Sequence, residues 1–510
     1  MQRALATALI GLGAGGALAA PDATISIDAS APVNVVGDAY ISFNLDPSCN
    51  RGFHQTNYSN PSLTAAAYYL QPARLRFGGS GADSLVYSFA PGAPDCAAVP
   101  SPPPPLAPGC DYVTPGCLNA SQAAALFDLA AAANAPLVFG IAFNQSAALA
   151  GAPWDSANAA RLLAWLAATR RTVYAWELGN EVNNGGGGAK VAAQQAAAFV
   201  ALAGLVAASS APAARLVGPD TGAVSPEPFI GAFLAAAPRG LVSAVTHHVY
   251  LGLSRSNLAT PAALAAKLDS ALPELRAFVA NVAANASGAE PWAGEMGPIG
   301  GGDDGSCGAA SVCGTFASAL YYADDAALRA AHGYAQHNRQ DLFGGHYGLV
   351  NSVSGAMALG AADALVVTPD YWVAWLWKRT LGGSVFAANS SAPSVRAYAF
   401  RGSPPSPFAA RAQCGAAAAQ LLLLNLAGAP AAVALPPAAA SFSAWALAPR
   451  GGDAFATEAE LNGAPLPTVL DAATTDPAPA LGFIGVPPVS GAAAAGLTLP
   501  GWAVAFVCLH

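Results

Sequence analysis

The chain has 510 residues, enough for two domains or for one large domain with an accessory. Only 10% of residues are charged, the net charge is −8, and Arg170-Arg171 and Lys378-Arg379 are mere pairs with no run of three basic residues. That excludes the basic stripe a nucleic-acid partner requires. Much of the 54% hydrophobic content is alanine, and 53 glycines and 41 prolines point to many short elements rather than a helical rod.

In chain order, residues 1–20 read as an export signal. Arg3 supplies the positive start, residues 4–18 are apolar and small, and Ala17-Leu18-Ala19 offers a cleavage site. A strand is predicted at 23–28 and another at 39–46, ending in Asp46. Residues 73–79 read as a strand breaking into a loop, and 91–116 as a long Pro-rich loop. From there strands and helices alternate. The predicted helices are 121–134, 155–169, 189–208, 226–236 and 261–285. The strands that follow them are 136–142, 172–178, 214–218, 241–250 and 290–294. This alternation predicts parallel strands with helical crossovers, and its repetition favours a closed (β/α)8 barrel over an open sheet. No Gly-x-Gly-x-x-Gly follows a first strand, so a dinucleotide fold is not expected. From about 385 short apolar runs alternate with Pro/Gly turns, which predicts an all-β sandwich. The expected division is signal 1–20, barrel 21–384 and sandwich 385–510, with the strand at 23–28 available to the sandwich. The apolar stretch Leu421 to Ala440 holds Asn425, Pro430, Pro436 and Pro437, and suits buried strands better than a membrane span.

The eight cysteines are Cys49, Cys96, Cys110, Cys117, Cys307, Cys313, Cys414 and Cys508. With an export signal they imply disulfides, and no C-x-x-C pair implies zinc. The spacing leaves the pairing open: Cys307 with Cys313 could close a small loop, and Cys414 with Cys508 could staple a C-terminal domain. Sequons at Asn57, Asn119, Asn144, Asn285 and Asn389 fit a secretory route.

A barrel places its chemistry at the C-terminal ends of its strands. Of the eight glutamates, Glu227 and Glu274 follow prolines at predicted helix starts, where a carboxylate complements the helix dipole, and Glu458 and Glu460 lie in a polar loop. Glu181 instead ends the strand-like run Thr172-Val-Tyr-Ala-Trp-Glu-Leu-Gly-Asn-Glu181. Burial near aromatic neighbours such as Trp176 would suit it to a general acid, and Asn180 could bind a sugar 2-hydroxyl. Glu177 sits inside the strand and suits a supporting role. Glu295 ends Pro291-Trp-Ala-Gly-Glu295, ahead of a glycine-rich loop. Two such carboxylates across a barrel mouth form the pair a retaining glycosidase needs, one acid/base and one nucleophile. Thr246-His-His-Val-Tyr250 closes another strand. Its histidines lack a third metal ligand at a recognisable spacing, so they read as packing or supporting groups, while Tyr250 could hold the nucleophile ionised. Gln340 and Tyr347 flank Gly344-Gly345. No metal or organic cofactor is expected.

These residues resemble the heparanase and plant heparanase-like β-glucuronidase family. The resemblance rests on Trp176-Glu-Leu-Gly-Asn-Glu181, on Gly294-Glu-Met-Gly-Pro-Ile-Gly-Gly-Gly302, on Leu75-Arg-Phe-Gly-Gly-Ser80 and on His247-His-Val-Tyr-Leu-Gly252. It continues through Asn338-Arg-Gln-Asp-Leu-Phe-Gly-Gly-His-Tyr-Gly-Leu-Val-Asn351 and Pro369-Asp-Tyr-Trp372. It implies a barrel plus sandwich, Glu181 as proton donor and Glu295 as nucleophile. It implies that Asp46, Ser80, Asn180, Tyr250, Gln340, Tyr347 and the backbone of Gly301 and Gly302 hold the sugar, with the tyrosine and glycine N–H groups receiving a uronic carboxylate. It also implies a Cys414–Cys508 disulfide. Ser80 stands where the animal enzyme has threonine, and His346 where it has asparagine. The acidic chain lacks the animal enzyme's heparin-binding clusters, which favours less charged glucuronic-acid-containing glycans or glucuronides. An endo-acting heparanase, an arabinofuranosidase or xylosidase, and a non-catalytic glycan-binding relative are the competing expectations. The expected setting is extracellular, cell-wall, lysosomal or vacuolar, with peripheral membrane or cell-wall association as a further expectation.

Overall fold

A computed structural model describes residues 20–47, 56–89, 116–209, 214–222, 226–300, 307, 311–344, 347–353, 359–405, 414, 419–470 and 486–510. The signal segment and most of the Pro-rich 91–116 loop therefore lie outside the described residues. So do Cys49, Cys96 and Cys110.

Eight parallel strands form the central sheet: β1 Ile41–Leu45, β2 Leu75–Phe77, β3 Leu137–Ile141, β4 Ala175–Leu178, β5 Arg215–Leu216, β6 Ala244–Tyr250, β7 Glu290–Gly297 and β8 Gln336–Arg339. Parallel pairing runs from β6 through β7, β8 and β1 to β5. Single bridges, Val217 to Ala244 and Thr221 to His247, close β5 onto β6. A helix follows each strand: α1 Pro61–Tyr68, α2 Ala120–Ala132, α3 Ala157–Thr169, α4 Gly188–Ala208, α5 Pro226–Ala236, α6 Leu272–Asn285, α7 Phe316–Ala331 and α8 Pro369–Thr380. Local chemistry sets their starts. Asn60 caps α1 ahead of Pro61 by accepting the Leu63 N–H at 3.0 Å, and Asn119 with Gln122 forms a capping box on α2.

Several predicted boundaries shift by one to three residues, and two elements change more in meaning. The single helix expected over 261–285 is two, Pro261–Asp269 and α6, because Pro273 belongs in a first turn and cannot lie mid-helix. The strand expected over 290–294 runs on to Gly297, so Glu295 lies inside β7. The alanine-rich α4 is long and apolar enough to cross a membrane by composition. In this fold it is a barrel helix, with Val191, Ala192, Ala196, Phe199 and Leu202 buried.

The second layer is an antiparallel sheet that closes over its own core. The N-terminal strand Ala23–Asp28 pairs antiparallel with Ser384–Ser390 and parallel with Ala431–Ala434. The central strands Ala419–Asn425 and Val504–Leu509 are buried on both faces. Leu421, Leu423, Ala505 and Val507 face the sheet's own core, whereas Leu422, Leu424, Val504 and Phe506 join the barrel core. Period-two alternation between two apolar environments explains why Leu421–Leu424 reads as an unbroken apolar run. Helices α7 and α8 lie between barrel and sheet and are buried along nearly their whole length. Some charges buried there are paired, while Lys378 and Arg379 donate to backbone carbonyls. Asp324 accepts from Tyr398 at 2.7 Å and meets Arg396 at 3.3 Å. Disulfides join Cys307 to Cys313 and Cys414 to Cys508, and no described cysteine is free.

Candidate active site

The strand tips converge on one guanidinium. Arg76, on β2, is fully buried inside the barrel. Its Nε donates to Glu177 on β4 at 2.7 Å, and its Nη1 to Glu295 on β7 at 3.0 Å. Its Nη2 donates to Asp220 beyond β5 at 2.6 Å and to Asn180 beyond β4 at 3.1 Å. A planar fork with five N–H groups is the side chain able to bind so many acceptors from different strands. The charge balance is uneven. Burial pushes the Glu177 carboxyl up to about 7, against the pull of Arg76. Burial would also raise Asp220, but Arg76 and His248 outweigh it and hold that carboxyl at about 2.

His248 is the second hub. Its Nε2 lies 2.7 Å from Asp220, and its Nδ1 lies 2.9 Å from Glu181 and 3.7 Å from Glu295. Glu181 leaves β4 through Gly179 and takes a left-handed backbone conformation with φ 49°, rare for a side chain with a Cβ. Two ties hold the turn: the Glu181 N–H donates to the Asp220 carbonyl at 2.8 Å, and Asn184 donates to the Glu181 carboxylate at 2.8 Å. Trp176 does not enclose Glu181 as the sequence suggests. It points outward from the barrel, edge-on to Phe139 at 5.9 Å, because side chains alternate along β4.

Glu295 reaches the same centre through a β-bulge. The β6–β7 register slips between His247 and His248, so His248 faces Glu295 while Ala293 faces His247. Glycine suits position 294 in the bulge, because a Cβ there would come within 3.1 Å of Asp220 and 3.3 Å of His248. Tyr250 donates its hydroxyl to Glu295, and its ring packs where a Cβ on Gly297 would go. The side chain of Glu295 is 6% exposed and that of Glu181 23%. One carboxylate is buried among donors and the other opens to solvent. Oxygens of Glu181 and Glu295 and a ring nitrogen of His248 all lie within 4.8 Å of one another. Those donor types could hold a cation, but both His248 nitrogens already face carboxylates, and Arg76 places a positive charge against Glu295.

Other sequence-selected residues lie at or beyond neighbouring strand ends. Asp46, at the tip of β1, is buried beside Gly79, and Gln340 beyond β8 donates to it at 3.5 Å. Ser80 opens the short helical turn after β2. Tyr347 is buried, 6.1 Å from the Tyr250 ring. Gly301, Gly302 and His346 lie outside the described residues. Glu274 begins a helix as expected, yet its main partner is His247 at 2.9 Å, on the outer face of β6. Sequence reasoning gave no role to Arg76 or Asp220 and undervalued His248. An arginine inside a three-residue apolar strand was the available signal for the first. Asp220, in an ordinary Gly-Pro-Asp turn, offered none.

A closed barrel presenting one glutamate from the fourth strand's tip and one from the seventh strand defines a class, the barrel glycosidases, and known proteins of that class resemble this chain. The model "Glycosyl hydrolase family 79, N-terminal domain" matches residues 31–327. The chain belongs to glycosyl hydrolase family 79. Heparanase-like protein 1 of Arabidopsis thaliana is 28% identical over 384 residues, 72% of this chain and 64% of that protein. Heparanase of Gallus gallus is 26% identical over 497 residues, 86% and 88% of the two chains. The chain spans less than two thirds of the plant relatives' length, at 64% and 62% for the first two. Among solved structures, a 4-O-α-L-rhamnosyl-β-D-glucuronidase of Fusarium oxysporum aligns with TM-score 0.61 at 15% identity, over 95% of this chain and all of its own. A family 51 arabinofuranosidase of Xanthomonas axonopodis pv. citri aligns with TM-score 0.62 at 14% identity, over 96% and 100%. At these identities the likeness is one of fold.

Proposed function

We propose that this protein is a retaining glycoside hydrolase that releases β-linked glucuronic acid from glycans or glucuronides. The observation that carries the proposal is the proximity of the two carboxylates, with oxygens of Glu181 and Glu295 within 4.8 Å of each other. A retaining pair stands roughly 5–5.5 Å apart, whereas an inverting pair leaves more room for a water. Glu295, buried and bonded by Arg76 and Tyr250, is the nucleophile; both donors favour its ionised form. Glu181, the more open of the two, is the acid/base that reaches the leaving oxygen. Attack by Glu295 on the anomeric carbon breaks the glycosidic bond as Glu181 protonates the departing oxygen. Water then cleaves the glycosyl-enzyme while Glu181 takes its proton.

The glucuronide assignment draws on the family, on the named activity of the Fusarium neighbour, and on the polar residues Asp46, Ser80, Gln340 and Tyr347 around the centre. The net charge of −8 disfavours a heavily sulfated chain. The disulfides suit an oxidising, extracellular or vacuolar setting. The test is chromophore release from aryl β-D-glucuronide, aryl β-D-glucoside and aryl α-L-arabinofuranoside, by wild type and Glu295→Gln, across roughly pH 4–8. Glucuronide turnover that vanishes in the variant is expected. Turnover of only a neutral glycoside would overturn the substrate, and release with inverted anomeric configuration would overturn the mechanism.

A further inference from the structure

We propose that Asp220 and His248 form a positioning pair that holds one exchangeable proton between His248 Nδ1 and Glu181, and so keeps that proton available to the leaving oxygen. The inference rests on the role given to Glu181 above. It follows from counting hydrogens. Both imidazole nitrogens face carboxylate oxygens, Nε2 toward Asp220 at 2.7 Å and Nδ1 toward Glu181 at 2.9 Å. A neutral imidazole has one N–H, and an ionised carboxylate only accepts. Asp220 is kept ionised by Arg76 at 2.6 Å and fixed in place by its own N–H bond to Thr246 Oγ1 at 2.9 Å. Asp220 therefore claims the Nε2 hydrogen. Nδ1 is left facing Glu181 with room for a single proton. Either Glu181 O–H donates to Nδ1, or Nδ1–H donates to the Glu181 carboxylate.

The balance closes over both chemical steps. The proton passes from Glu181 to the leaving oxygen in the first, and a proton from water refills the Glu181–His248 bond in the second. Asp220 never touches substrate; it acts through the imidazole. The other charged groups around the pair are accounted for. Arg76 Nη2 lies 3.5 Å from His248 Nε2, and Glu295 lies 3.7 Å from Nδ1. Glu177 shares Arg76, and Tyr250 bonds Glu295. Asp83, in the short helical turn after β2, accepts the Phe143 N–H at 3.3 Å and interacts with both Asp220 and Glu181. His247 points outward to Glu274 and weakly opposes a charge on His248. Burial disfavours an imidazolium at His248, but the surrounding carboxylates outweigh it and raise the group well above its usual range.

The experiment is the pH profile of kcat/KM for Asp220→Asn, measured on a substrate with a poor leaving group and on a dinitrophenyl substrate whose departure needs no proton. Asparagine can still accept the Nε2 hydrogen but removes the charge. The alkaline limb is expected to move down by about one pH unit or more, the shift an adjacent opposite charge produces. The loss of rate should be larger for the poor leaving group. An alkaline limb that stays in place, or equal losses on both substrates, overturns the proposal. Nitrogen-15 imidazole spectra of the wild type give a reading independent of that variant's folding and of any substrate. His248 should keep its Nε2 hydrogen throughout roughly pH 5–8, and a neutral form protonated at Nδ1 overturns the pair. If a neutral glycoside replaces glucuronide as substrate, the glucuronide reading fails while the same profile is run on that glycoside.

Discussion

Replacing Glu177 with glutamine isolates the cost of a buried carboxylate. Glu177 is fully buried, and burial raises its carboxyl from an ordinary 4.5 to about 7 even with Arg76 2.7 Å away. A raised folded-state value means the folded protein binds the proton more tightly than the unfolded chain. The contribution to stability is thus complete below pH 4.5 and lost as pH rises through about 7. At about 1.4 kcal/mol per unit, the wild type loses about 2 to 3 kcal/mol from this group between roughly pH 5 and pH 8. Glutamine does not titrate, and its carbonyl oxygen can accept the Arg76 Nε hydrogen. Urea denaturation of both proteins at the two pH values gives the double difference, in which the titrations that do not feel Glu177 cancel. The variant is expected to gain about 2 to 3 kcal/mol relative to wild type on going to the higher pH. Parallel stability curves would refute the reasoning, since they would mean that Glu177 is ionised throughout and fully offset by Arg76.

Arg76→Lys replaces a fork of N–H groups with a point charge of three donors, so at least one of its four acceptors loses its bond to this side chain. We expect a loss of about 3 to 5 kcal/mol in stability, read as a lower urea midpoint, and a kcat lower by a factor of roughly 100 or more. Tyr250→Phe removes the hydroxyl from Glu295, and kcat should fall by about 10- to 100-fold while the urea midpoint stays near that of wild type. Gly294→Ala forces a Cβ to within 3.1 Å of Asp220, and should destabilise by about 1 to 3 kcal/mol and depress activity. Gly231→Ala, on α5 with open space at its Cβ, is the control, expected to stabilise by about 0.5 to 1 kcal/mol in the same urea assay.

The barrel was legible because its information is local. Runs such as Leu137–Ile141 and Ala175–Leu178 carry strand patterns, the alanine-rich segments between them carry helix patterns, and their alternation leaves few topologies open. The Glu181 and Glu295 pair was legible for a related reason: glutamates are scarce here, and two of them sit at or next to strand tips followed by glycine. Pro273 marked a helix start that a purely apolar reading ran through.

Tertiary structure alone decided what surrounds those carboxylates. Arg76 and Asp220 are 144 positions apart, yet bond at 2.6 Å because closure of the barrel brings the tips of β2 and β5 to one centre. The bulge at Gly294 depends on the pairing register between β6 and β7, which no single strand's composition encodes. The same holds for Trp176, whose outward direction follows from where β4 sits in a closed sheet. Local sequence thus determined which segments become strands and helices and which glutamates reach a tip. Closure determined which charges share one buried space. Their protonation depends on that space, because distance and desolvation act between residues that meet only in the fold.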